Sequence, residues 1–175
     1  METVELLNEL YKKLSPSKIN PTVIFNEGWM TRLLVIESMR IGIVIDDIDF
    51  RNLAKKEWSS EALISSPFVG IDKNPEGYTH ADIILGDFKI DYLNRGEITV
   101  KDDAQILGII EAKMGSNLSQ DTSNAKDYNQ ASRNICCLAH NTINFSTCDI
   151  FFMVVAPDNK IKSNKIIDQV SKEKV

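Results

Sequence analysis

Residues 81–116 have the sequence ADIILGDFKIDYLNRGEITVKDDAQILGIIEAKMGS, and this stretch is the most informative part of the chain. One apolar run opens with an acid, Asp82, and a second apolar run closes with Glu111 and Lys113. Short isoleucine-rich runs bounded by turn residues predict strands. Neighbouring strands would bring two carboxylates and a lysine together, and carboxylate oxygens can hold a hard divalent cation.

The position of the E-x-K triplet carries more weight than the triplet itself. Side chains alternate along a strand, so Glu111 and Lys113 would share one face while Ala112 points to the other. Two charges at the end of a buried strand are costly unless something there uses them. The alternative is a strand that emerges into solvent with hydrated charges. The pattern favours metal-assisted hydrolysis of a phosphodiester.

These motifs resemble those of the PD-(D/E)XK nuclease (restriction-endonuclease-like) superfamily, over roughly residues 23–157. The resemblance rests on YTHADIIL, which contains Asp82, and on IIEAK, which contains Glu111 and Lys113. It also rests on an upstream helix that opens with NEGW and a downstream helix that contains DYNQASRN. The proline that precedes the first acid in the superfamily's signature is replaced here by Ala81.

The resemblance implies a metal-dependent nuclease with an αβββαβ core. In such enzymes the two strand acids, here Asp82 and Glu111, bind Mg²⁺ or Mn²⁺. The carbonyl between the two motif residues, here that of Ala112, often joins the metal shell. The lysine, here Lys113, positions the attacking water. A glutamate in the first core helix frequently completes the site, which nominates Glu27.

Two residues of the downstream helix are candidates for substrate binding. Relatives often carry a glutamine there that approaches the metal site or the substrate backbone, and Gln130 fits this role. Arg133 could pair with a phosphate. The alternative for both is an ordinary polar helix face. For Glu27 the alternative is a first-turn acid that complements the helix dipole.

Asp87 is the reserve candidate for the role of Asp82 as metal ligand. It lies five residues further along, an odd offset that places it on the opposite face of a regular strand. Gly86 between the two acids could mark a β-bulge, which would overturn this assignment.

Hydrophobic periodicity predicts a helix, three or four strands, a helix and a strand, with an added N-terminal helix in residues 1–18. The helix over about residues 26–40 is expected to face the core with Trp29, Leu33, Leu34 and Ile36. The run CDIFFMVVAP predicts a fully buried strand. The lysine-rich residues 158–175 predict a surface helix or a frayed end. The predicted fold is one α/β domain, a mixed central sheet flanked by helices, with its core in residues 23–157.

Composition places the chain among soluble globular proteins. Its 175 residues, 43% hydrophobic and 26% charged, suffice for one domain with a substantial core. No apolar run is long enough to span a membrane. The N-terminus carries acids and is typical of neither a secretory signal nor a transit peptide, so a cytoplasmic location is expected. Three cysteines, an odd number, do not make a disulfide framework.

The net charge argues against the nuclease interpretation. At −5, with an isoelectric point near 5.1, the chain lacks the basic surface typical of nucleic-acid binders. DNA is nevertheless the favoured partner. Two alternatives stay open, namely a catalytically inactive nuclease-fold module that binds a protein or nucleic acid, and a phosphohydrolase of small phosphates. The sequence leaves open the choice between DNA and RNA and the formation of a homodimer.

Overall fold

The structure is a computed structural model that describes residues 27–68, 77–113, 117–119, 128–162 and 165–170, with the side chains of Glu27 and Lys165 left aside. The helix expected in residues 1–18 lies outside these ranges. Within them the chain is mixed α/β, with a six-stranded mixed sheet flanked by helices. The predicted α/β class and mixed central sheet are confirmed. No helix of these ranges has the length and apolar composition needed to cross a membrane.

The elements follow one another in the order helix, small hairpin, short helix, sheet strands, helix, strand and two short helices. They are α1 (Glu27–Ile41), β1 (Val44–Ile45), β2 (Ile48–Asp49), α2 (Phe50–Leu53), β3 (Glu57–Ser65), β4 (Tyr78–Gly86), β5 (Phe88–Asp91), β6 (Glu97–Val100), β7 (Ile106–Ala112), α3 (Gln130–Thr142), β8 (Asp149–Val155), α4 (Asp158–Ile161) and α5 (Lys165–Val170).

The strand order across the sheet is β5-β6-β3-β4-β7-β8. β4 is antiparallel to both β3 and β7, and β8 is parallel to β7. β5 and β6 form an antiparallel hairpin that joins the sheet through a parallel contact between β6 and β3. Arg95 and Gly96 in its turn have positive φ values, the backbone conformation that tight hairpin turns use.

Two hydrophobic layers hold the helices against the sheet. On one face, Cys137 and Leu138 of α3 pack against strand residues that include Ile84 and Ile109. On the other face, Val35 of α1 packs with residues of α2 and with the strand residues Ile83, Leu85 and Ile110. Each fully buried aliphatic side chain stabilises the fold by about 1.5–3 kcal/mol relative to an exposed one.

The alternation of side chains along β3 reverses at Glu61. Trp58 packs in the layer under α1, whereas Ala62 and Ile64 lie in the layer under α3. A regular strand would keep all three on one face, since they are separated by even numbers of residues. Glu61 has a φ of 57°, in the left-handed region, and it lies opposite Asp82 between two register pairs. The sheet is therefore irregular at the level of Asp82.

The core face of α1 differs from the predicted one. Thr31 and Val35 are 1% and 2% exposed, whereas Trp29 and Leu34 are 47% and 39% exposed. Apolar residues occur on every side of this helix, so their spacing does not select one face.

The prediction of a fully buried final strand is wrong. Among the strands that the structure describes, β8 lies at the edge of the sheet, and its residue Ile150 is 41% exposed. A run rich in β-branched and aromatic residues is typical of any strand with covered faces, and it does not reveal whether both edges are paired.

The segment that follows β8 contributes to the core. Ile166 of α5 is only 3% exposed and packs in a third cluster with Leu118 and Ala131. This part of the lysine-rich tail is therefore packed against α3, where the sequence predicted a surface helix or a frayed end.

Candidate active site

The site lies where β4 and β7 part. Their last register pair is Ile83 with Ile110, so the next step along the ladder places Asp82 opposite Glu111. Here Asp82 Oδ2 accepts a hydrogen bond from the backbone N–H of Ala112 at 2.8 Å. The Asp82 carboxylate thus takes the place of a backbone carbonyl at the end of the β4–β7 hydrogen-bond ladder. It lies opposite the second acid, Glu111.

Glu111 is almost completely enclosed, with 2% of its surface exposed. Its Oε1 accepts a hydrogen bond from Lys113 Nζ at 2.7 Å and another from Gln130 Nε2. Its Oε2 accepts a hydrogen bond from Asn134 Nδ2 at 3.3 Å. Lys113 is itself 7% exposed. One strand and one helix therefore fix the orientation of this carboxylate.

Burial raises the pKa of Glu111, and the negative charge of Asp82 raises it further. The Lys113 ammonium acts in the opposite direction, and the resulting pKa is about 7 instead of the ordinary 4.5. Asp82 lies opposite Glu111 at the end of the β4–β7 pairing, close enough for its charge to act on the second carboxyl group. Such a pair resists carrying two negative charges, and a cation placed beside it would stabilise both.

The start of α3 is held in place by Asn129. The Oδ1 atom of this residue accepts a hydrogen bond from the Ser132 N–H at 2.8 Å and caps the helix. Its Nδ2 donates to the carbonyl of Gln169 in α5 at 3.0 Å. Gln130, the first residue of the helix, donates its backbone N–H to the Ser119 carbonyl at 3.1 Å. These contacts direct the Gln130 side chain at Glu111.

Asn134 is the contact residue that the sequence did not single out. It is 2% exposed and lies four residues after Gln130, on the same side of α3. Its spacing from Gln130 predicts a position on the polar helix face that can meet the cleft, but the sequence assigned this amide no contact with Glu111.

The Ala112 backbone suits its predicted role. In a strand, the N–H and C=O groups of one residue point to the same side. Because the Ala112 N–H donates to Asp82, its carbonyl is directed towards Asp82 as well. The next residue, Lys113, donates its N–H to the Val155 carbonyl on the opposite side at 2.9 Å.

The first turns of α1 lie over the Asp82 end of the sheet. Arg32 Nε donates a hydrogen bond to Ser60 Oγ at 2.7 Å, and Ser60 is the register partner of Ile83. Glu27 begins this helix, but its side chain is not described, so its role as a metal ligand stays a prediction.

The phosphate-binding role of Arg133 also stays a prediction. This residue lies between Gln130 and Asn134 on α3 and is partly buried. Burial lowers the pKa of its guanidinium.

Asp87 lies at the other end of β4 and has a different environment. Its carboxylate binds Lys56 Nζ at 2.8 and 2.9 Å and the Gln105 N–H at 3.1 Å. Burial raises its pKa, but Lys56 and the backbone donors outweigh burial and lower it below the usual range. Gly86 has a φ of 136°, and a Cβ there would lie 2.1 Å from the Ile106 carbonyl oxygen. Asp87 thus lies beyond the opposite end of β4 from Asp82, and its carboxylate is engaged by Lys56 and by the Gln105 backbone.

The donor set of Asp82 and Glu111 fits a hard divalent cation. Two carboxylates and a carbonyl are oxygen ligands of the kind that Mg²⁺ and Mn²⁺ prefer. Across the described residues, no group of three or more His, Cys, Asp and Glu side chains surrounds a metal position. Glu27 is the candidate for a third acid.

Comparison with known proteins gives no relative for this chain. No family model, no curated protein and no solved structure matches it. A functional inference must therefore come from the chemistry of the site.

Proposed function

We propose that this protein is a metal-dependent nuclease of the PD-(D/E)XK superfamily that hydrolyses phosphodiester bonds, with DNA as the favoured substrate. The observation that carries the proposal is the arrangement where β4 and β7 part: Asp82 binds the Ala112 backbone N–H opposite Glu111, and Lys113 binds Glu111. Two acids and a lysine at one strand end are the groups that metal-assisted hydrolysis needs.

The order of the elements supports the proposal. Without the β1–β2 and β5–β6 hairpins and the short helices α2, α4 and α5, the chain runs α1, β3, β4, β7, α3 and β8. This is a helix, three consecutive antiparallel strands, a helix, and a strand parallel to the third one. The αβββαβ core expected for such nucleases has the same order.

The two acids would hold the metal ion. A bound Mg²⁺ or Mn²⁺ supplies a water of lowered pKa and offsets negative charge on the phosphoryl oxygens. Asp82 and Glu111 provide carboxylate oxygens for it, and the Ala112 carbonyl lies on the same side. Glu111 is presented in a fixed orientation because Gln130 and Asn134 bind its two oxygens.

Lys113 would orient the attacking water. Its ammonium lies 2.7 Å from Glu111 Oε1 and is largely shielded from solvent, so its position is fixed relative to the acids. A shielded positive charge beside the reacting phosphate also stabilises the negative charge that develops there.

A cleavage assay tests the proposal. Plasmid DNA, single-stranded DNA and RNA are incubated with the wild type and with Lys113→Ala and Glu111→Gln, in Mg²⁺, in Mn²⁺ and in EDTA. Lys89→Ala, which removes an exposed lysine on β5, is the matched control. We expect cleavage of at least one polymer only with metal, a loss of about 100-fold or more in both site variants, and no change in the control.

Wild-type rates in either site variant would show that the assignment is wrong. A wild type that binds Mn²⁺ but cuts none of the polymers would contradict the enzyme assignment and favour an inactive binding module.

A further inference from the structure

Arg32 on α1 is held by neutral groups. Its Nε donates to Ser60 Oγ at 2.7 Å, and its guanidinium carbon lies 5.6 Å from the centroid of the Trp29 ring. No carboxylate pairs with it among the side chains that the structure describes. By contrast, Arg40 on the same helix forms an ion pair with Glu37.

An arginine in this setting keeps its charge available for a ligand. The guanidinium has five N–H donors in a planar fork, and Ser60 uses one of them. Contact with the Trp29 ring restrains the side chain, so less conformational entropy is lost when a ligand binds. The fork matches the two oxygens of a phosphate group.

Arg32 lies near the strand that carries the first acid of the candidate active site. Its partner Ser60 pairs with Ile83, and the next residue of that strand is Asp82. Trp29 lies nearly one turn closer to the start of α1 and is 47% exposed. The guanidinium is therefore on the face of the sheet covered by α1, beside the strand that carries the first acid.

We propose that Arg32 binds a backbone phosphate of the nucleic-acid strand, next to the phosphate that is cut between Asp82 and Glu111. Ser60 and Trp29 orient its guanidinium for this contact. The inference rests on the proposed nuclease function, and it adds a substrate-binding residue on α1 to those expected on α3.

Binding measured at several salt concentrations tests this role. Fluorescence anisotropy follows labelled single- and double-stranded oligonucleotides in Ca²⁺, with a gel to check that the strand stays intact. We expect Arg32→Gln to bind about tenfold more weakly than the wild type and to lose about one unit of the log–log salt slope on duplex DNA. Arg40→Gln makes the same charge change on the same helix and should bind as the wild type does.

Wild-type affinity and slope in Arg32→Gln, or an equal loss in Arg40→Gln, would overturn the inference while leaving the nuclease proposal intact. A wild type that binds no oligonucleotide would overturn the nucleic-acid substrate and the role of Arg32 with it.

Two further variants keep the test decisive if Arg32→Gln does not fold, as judged by circular dichroism. Arg32→Lys and Ser60→Ala both retain a positive charge but lose the oriented fork. Each should weaken binding about threefold with an unchanged salt slope. Wild-type affinity in both variants would overturn the proposal.

Discussion

The pKa of Glu111 is set by neighbours that act in opposite directions. Burial and the Asp82 charge favour the protonated acid, whereas Lys113 favours the carboxylate, and the pKa of about 7 reflects the balance. The hydrogen bonds from Gln130 and Asn134 fix the orientation of the group.

The raised pKa of Glu111 makes stability depend on pH in the metal-free protein. The folded chain retains this proton between pH 4.5 and about 7, whereas the unfolded chain releases it, so each rise in pH within this window favours unfolding. The free energy of unfolding in EDTA should fall by on the order of 3 kcal/mol from this group across the window and then level off. Urea unfolding at several pH values measures it. Glu111→Gln should lack this fall, and an unchanged pH dependence in that variant would contradict the environment described for Glu111.

The sequence predicts the charged side chains of the candidate site better than it predicts the neutral residues that bind them. Asp82, Glu111 and Lys113 could be selected because each lies at the end of an apolar run, where a charge is unusual. Asn134 could not, since an amide on a polar helix face has no distinguishing local pattern. The exposed ring of Trp29 was missed because exposure depends on which face of α1 meets the sheet.

The helix α3 acts as a support for the strand acids. Asn134 Nδ2 binds Glu111 Oε2, and its replacement by alanine would leave only the contacts to Oε1 to orient the carboxylate. We expect Asn134→Ala to lower Mn²⁺ affinity about tenfold, as is typical for residues that orient a metal ligand. Isothermal titration calorimetry measures the affinity.

Asn141→Ala is the matched control on the same helix. Its amide donates to the Ser65 and Cys137 carbonyls, away from the site. It should lower stability while metal affinity stays at the wild-type value. Equal metal affinities in both asparagine variants would show that Asn134 does not position Glu111.

The short helix α5 forms part of the core beneath the start of α3. Ile166 is 3% exposed and its neighbour Ile167 is 47% exposed. We expect Ile166→Ala to lower the free energy of unfolding by about 2–5 kcal/mol, and Ile167→Ala to change it by about 0.5 kcal/mol or less. Urea unfolding measures both, and equal small effects would mean that α5 does not pack as described.

The sequence predicts the type of an element, helix or strand, better than it predicts the partners against which that element packs. The β7 strand and the β5–β6 hairpin follow from local apolar runs and turn residues. The edge position of β8 does not, because pairing on its second side depends on segments distant in the chain. The same holds for α1, whose apolar residues lie on all sides.

At the scale of the whole molecule, the sheet order is the feature that the sequence could not supply. β6 joins the sheet beside β3 through a parallel contact, although β4 and β5 lie between them in the chain. Periodicity identifies strands but carries no information about which distant strands pair. The site follows from this topology, since Asp82 and Glu111 meet only because β4 pairs with β7.

We infer that Asp82 and Glu111 bind one metal ion together, whereas Asp87 forms an ion pair with Lys56. Calorimetric titration of Mn²⁺ into the wild type, Asp82→Asn and Asp87→Asn, each confirmed as folded, tests it most directly. We expect the wild type and Asp87→Asn to bind Mn²⁺ equally, and Asp82→Asn to bind it at least about tenfold more weakly. A wild type that does not bind Mn²⁺, or an Asp82→Asn variant that binds it as tightly as the wild type, would contradict the account.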